Sequence, residues 1–162
     1  MIKNSQQAQQ DSDFHLHSSF TYWISRLASV MQDMFTRELA EYDVTWPQWM
    51  VLNVLHNNLA VTPAQIADNI GIDRSAITRL VDRLEKKAYL ERQHDELDRR
   101  TVNILLTSLG RDLMSSLNDA ARKHQDEFLS QLHNTEYRGL KGNIQKMLRA
   151  GGVETSTLWK HM

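Results

Sequence analysis

The chain has 162 residues, no cysteine, and 19 basic against 20 acidic side chains, for a formal net charge of −1. That length fits one domain with a substantial hydrophobic core. The lack of cysteine excludes disulfides, a thiolate oxidant sensor and a cysteine-based zinc site, and no run approaches the ~18 apolar residues that span a bilayer. The stretch from Met1 to Ser12 is polar and glutamine-rich, without the apolar core of a signal peptide, so a cytoplasmic chain with a flexible tail over residues 1–13 is expected. Phe20, Ile24, Leu27, Met31 and Met34 then alternate spacings of four and three, a heptad-like seam on a first helix. A short helix follows, capped by Thr45 and Gln48, with Trp49, Leu52 and Leu55 turned inward.

The segment from Thr62 to Leu106 carries the most specific pattern. Thr62 with Gln65 three residues on forms a capping box, and Pro63 occupies the first helical position, where its missing N–H costs nothing. Ile66, Ala67 and Ile70 give one apolar face; Ala67 is small where a second helix must cross closely. Gly71 can adopt the positive φ that ends the helix, Ile72 plugs the turn, and Asp73 is placed to cap the next helix. On that second helix Ile77, Leu80, Val81, Leu84 and Ala88 fall within an arc of roughly 100°, opposite Ser75, Thr78, Arg79, Asp82, Arg83 and Lys86. An amphipathic surface helix would look the same in its later turns. The first turns differ, because Ser75, Thr78 and Arg79 are hydrogen-bonding groups at the end that would enter a DNA groove.

After Lys87 the period changes to two. Leu90 to Gln93 and Val102 to Leu106 read as the strands of a hairpin around His94-Asp95-Glu96-Leu97-Asp98-Arg99-Arg100. Asp98 stands two residues from Arg100, close enough for its carboxylate to steady the guanidinium, and an arginine at a loop tip suits a narrow minor groove. Helix, glycine turn, helix and basic-tipped hairpin are the order of a winged helix-turn-helix. Residues 73–100 hold eight basic and seven acidic side chains, so the reading rests on where charges point. Leu109, Leu113, Leu117, Ala120, His124, Phe128 and Leu132 mark a long helix, with His124 expected as a satisfied core histidine. Asn134-Thr135 breaks it, and Leu140, Ile144 and Leu148 begin another that Gly151-Gly152 ends. These terminal helices carry more apolar surface than one small lobe covers, which calls for a partner.

Val44-Thr45-Trp46-Pro47-Gln48-Trp49, Gln65-Ile66-Ala67, Leu80 to Lys87, and Asp98-Arg99-Arg100 with Leu106-Thr107 resemble the MarR/SlyA family of transcriptional regulators, over roughly Phe20 to Leu148. Many members carry glycine before the first wing strand; this chain has Ala88-Tyr89. The resemblance implies a mainly α fold with a small β-hairpin wing (α+β). One MarR-type domain would span residues 1–162, with dimerisation helices at 14–43 and 107–150, a winged-helix lobe at 44–106, and a second flexible tail at 151–162. It implies a homodimer on an inverted-repeat operator in double-stranded DNA, most simply a repressor. The DNA contacts would fall on Arg74, Ser75, Thr78, Arg79, Asp98, Arg99 and Arg100.

Family members also bind small aromatic carboxylates or phenols where the dimer helices meet the DNA-binding lobe. The matching residues are Trp23, Trp46 and Trp49 as flat walls and Arg26 as a carboxylate anchor, although tryptophans at helical spacing also serve as core and Arg26 could pair with an acid. No nucleophile motif, phosphate loop or carboxylate pair is present, so no enzymatic activity and no cofactor is expected. His15 and His17, two apart, do not amount to a metal site. The competing reading is a winged-helix module that binds protein and not DNA. Arg79 and Arg100 argue against it, since a protein-binding face needs apolar anchors there.

Overall fold

A computed structural model describes residues 15–95, 98 and 100–153. The expected tail over 1–13, Arg99 and most of the 151–162 tail lie outside the described residues. A single 3-10 turn, Leu16–Ser18, leads into α1 (Phe20–Ala40), which Ser19 caps by accepting the Tyr22 N–H at 3.3 Å. The following helices are α2 (Trp46–His56), α3 (Pro63–Ile70) and α4 (Arg74–Lys86). Antiparallel strands β1 (Leu90–His94) and β2 (Val102–Leu106) come next, then α5 (Ser108–Leu129) and α6 (Asn134–Ala150). This is the mainly helical, hairpin-winged architecture read from the sequence.

Local chemistry sets the boundaries. Thr45 and Thr62 each accept the backbone N–H three residues on, while Gln48 and Gln65 reach back to the cap N–H, so both capping boxes form. Gly71 ends α3 at φ 70°, the left-handed conformation that a Cβ disfavours. Asp73 occupies the N-cap position of α4 but its side chain makes no capping bond, contrary to expectation. At the α4-to-β1 turn, Ala88 sits at φ 59°, so the left-handed backbone is kept although glycine is absent. A left-handed alanine costs roughly 1–2 kcal/mol. Ala88→Gly should therefore raise unfolding free energy, by about 0.5–1 kcal/mol once the freer unfolded glycine is counted, as measured by urea titration.

The hairpin pairs Leu90 with Leu106 through His94 with Val102, and the Ile104 N–H adds a bond to the Val61 carbonyl at 2.7 Å, tying the wing to the segment before α3. Thr107 caps α5 through Gly110 N–H at 3.0 Å and donates its hydroxyl to the Ala88 carbonyl at 2.6 Å. Gly110 is buried there against Tyr89: a Cβ would lie 2.2 Å from the Tyr89 oxygen, so only hydrogen fits.

One core serves the winged lobe, the second half of α1 and α5. Leu52, Ile66, Ile77, Leu84, Leu90 and Ile104 from the winged lobe close onto Phe35 and Leu39 of α1 and Met114 and Leu117 of α5, all fully buried. Two regions contribute nothing to it. The first half of α1 leaves Phe20 58 %, Trp23 54 % and Leu27 48 % exposed, and α6 buries no residue, with Met147 47 % exposed. His124 is buried as expected but is not satisfied: its Nδ1 has no hydrogen bond and stands 3.7 Å from Glu38 Oε1.

Candidate nucleic-acid interface

The inward residues of α4 are Ile77, Leu80, Val81 and Leu84, all buried, which fixes the opposite face toward solvent. Ser75, Thr78 and Arg79 are exposed on it, with Arg83 and Lys86 beside them. Thr78 donates its hydroxyl to the Arg74 carbonyl at 3.1 Å, one turn earlier. Arg74 stands 4.0 Å from Asp68, with both side chains mostly exposed, too loose to remove its charge. Among the described residues, Arg79, Arg83 and Lys86 have no acidic partner.

The acids of the helix are held elsewhere. Arg92 of β1 places Nη2 2.5 Å from Asp82 Oδ1 and Nη1 on Glu85 Oε2, one guanidinium serving two carboxylates. Sequence reasoning missed this clamp, which joins residues seven and ten positions apart across a helix end and a strand. Lys87, at the end of α4, bonds Asp43 Oδ2 at 2.8 Å and the Asp43 carbonyl, fastening α4 to the turn after α1.

At the wing tip, Asp98 Oδ1 accepts the Arg100 backbone N–H at 3.0 Å and Oδ2 accepts the Thr101 hydroxyl at 3.1 Å. Asp95 accepts the Asp98 N–H at 3.0 Å and the Asn103 amide at 3.2 Å. The Asp98 carboxylate thus fixes the backbone of the turn; the expected contact with the Arg100 guanidinium is replaced by one with its N–H. Arg100 is exposed on this braced tip.

The residues read as an effector site fall in two places within one chain. Trp46 and Trp49 lie tilted against each other at 5.0 Å and both meet Phe35 edge-on, while His124 stacks on Phe35 at 4.9 Å, with Phe128 beyond. Trp49 Nε1 is buried there without a partner. Trp23 is exposed, packs on Tyr22 and His17, and donates to the His17 carbonyl at 2.8 Å. Arg26 is exposed beside it; a twelve-residue helical separation puts Trp23 about 18 Å along the axis from Phe35. A separate groove of about 380 Å³ opens between the end of α2, the wing strands and Arg111, and no tryptophan lines it. Among the described residues no cluster of His, Asp or Glu is arranged for a metal, and no helix is long and apolar enough to cross a membrane.

Residues 42–101 match a model described as MarR family. The HTH-type transcriptional regulator SarZ of Staphylococcus aureus is 29% identical over 109 residues, covering 67% of this chain and 72% of SarZ. A crystal structure of the S. aureus MepR–DNA complex superposes with a TM-score of 0.76 at 25% identity, over 82% of this chain and 98% of MepR. Bordetella bronchiseptica BpsR, solved in a study of regulation of its DNA binding by 6-hydroxynicotinic acid, shares the fold with a TM-score of 0.77 at 22% identity, over 84% and 97% of the two chains. The matched winged lobe, the regulator relatives and the shared architecture of the flanking helices agree: residues 42–101 match the MarR family, and the chain as a whole is similar to MarR-family transcriptional regulators.

Proposed function

We propose that the protein is a homodimeric, sequence-specific double-stranded DNA-binding regulator, most simply a repressor, with no catalytic step. The observation that carries the reading is the exposed Ser75, Thr78 and Arg79 face of α4, with no acidic partner for Arg79 among the described residues, set beside a braced wing. In this reading α4 enters the major groove, where arginine reads guanine edges, and Arg100 enters the adjacent minor groove, with Arg74 and Arg99 on phosphates. The MepR–DNA complex supports it by fold. The uncovered apolar half of α1 and the α6 helix are the dimer surfaces, and two-fold symmetry then demands an inverted repeat with half-sites about 10 base pairs apart. Selection of bound fragments from the host genome, followed by mobility shifts over a salt series, tests this directly. A palindromic site and a steep fall of affinity with salt are expected; binding confined to protein, with no fragment retained, would overturn it.

The effector reading is a small aromatic carboxylate or phenol that releases DNA; regulation of BpsR DNA binding by 6-hydroxynicotinic acid supports a ligand of this class. Trp46 and Trp49 offer the walls, and a site using Trp23 and Arg26 as well takes those two from the second copy. Such a ligand works only through its differential affinity for the lobe spacing that mismatches the operator. Titration with hydroxybenzoates and hydroxycinnamates, following tryptophan fluorescence and operator release, is the check. Release that is equal in wild type and Arg26→Ala removes the anchor; no binding by any of these acids removes the site.

A further inference from the structure

We propose that Arg92 is a positioning residue for DNA recognition, which screens and retains the two carboxylates that α4 would otherwise present to the duplex. The inference rests on the DNA-binding reading above. At about 100° per residue, Asp82 projects within about 20° of Ser75 and about 40° of Thr78, so it lies in the middle of the outward face, one turn beyond the reading end. Glu85 flanks it about 20° beyond Thr78 on the same side. Duplex DNA carries one negative charge per ~1.7 Å of axis, so a free carboxylate here opposes every phosphate that Arg79, Arg83 and Lys86 attract.

Strand geometry explains why β1 supplies the counter-charge. Side chains two apart share a strand face, and Leu90, two before Arg92, is buried in the core that α4 helps to form. Arg92 continues that face past the edge of the core, reaching the flank of α4 with Nη2 on Asp82 and Nη1 on Glu85. Its fork spans two acids three residues apart on the helix, a geometry that a point charge such as lysine does not match. The side chain is about one-third exposed and its partners 49% and 37%, so the clamp stands at the surface where phosphates would approach. It also explains how a recognition segment of almost balanced composition presents a cationic face.

The test compares Arg92→Gln, the double variant Asp82→Asn/Glu85→Gln, and the triple variant, on a genome-selected operator, with thermal melting as the fold control. Arg92→Gln should lose affinity about tenfold at low salt, with the loss shrinking as salt rises. The triple variant should return to within about threefold of wild type although the clamp is still absent, because the repelling charges are gone. The double variant, with Arg92 intact, should bind at least as tightly as wild type. A triple variant as weak as Arg92→Gln, or a double variant weaker than wild type, overturns the proposal in favour of a purely structural or direct phosphate role for Arg92. A double variant weaker than wild type overturns the proposal even if Arg92→Gln does not fold. Wild-type protein that binds no fragment overturns the DNA-binding reading itself, a result distinct from either.

Discussion

The Arg79→Ala/Arg100→Ala double variant should lose operator affinity by about a hundredfold or more, while its melting temperature stays at that of the wild type. Arg79→Ala alone should cost ~1–3 kcal/mol and relax sequence preference, since it removes the proposed reader of base edges in the major groove. Arg100→Ala should weaken binding with a smaller loss of preference, because the minor-groove pattern is degenerate. The two residues sit on separate elements, one on α4 and one on the wing, so their effects should nearly add. Both are exposed and make no ion pair among the described residues, which is why stability should move by less than about 0.5 kcal/mol. Undiminished binding by the double variant, measured by fluorescence anisotropy at fixed salt, would falsify the assignment of this face.

Deleting the chain from Leu140 onward should yield aggregated or unfolded protein rather than a folded monomer. The deletion removes most of α6, which buries nothing within its own chain yet carries exposed Leu140 and Met147. If that helix and the first half of α1 interdigitate with a second copy, stability is inseparable from protomer concentration, and the full-length melting temperature should rise as concentration increases. A truncated chain that sediments as a monomer, melts cooperatively and still binds operator would be decisive against this assembly.

What the sequence made legible was local. Thr62 with Gln65 and Thr45 with Gln48 specify helix starts within four residues, and Gly71 specifies a stop by its own backbone freedom, so these were readable without a neighbour in space. The inward set on α4 followed from a period of 3.6. Contacts across elements were not readable. The Arg92 clamp depends on how far β1 carries its face past the core, and no spacing rule links positions 82, 85 and 92. Asp98 was read as a partner for a guanidinium because side-chain pairs are visible in a sequence, whereas the two bonds it makes to the turn are set by backbone direction. Asp73 had the right residue type for a cap but not the bond. The three tryptophans looked like one group because composition ignores the length of α1, which separates Trp23 from the Phe35 cluster.

The two uncovered apolar regions lie at opposite ends of the chain, which matters while it is being made. The greasy half of α1 leaves the ribosome more than a hundred residues before α6 does. At about 5–20 residues per second, that interval is on the order of 5–20 s. Through it, the winged lobe between them can close its own core, but Phe20, Trp23 and Leu27 have nothing to pack on. Neighbouring ribosomes on one message hold such segments close together at high local concentration. The nascent chain therefore carries that apolar face uncovered until its last helix arrives.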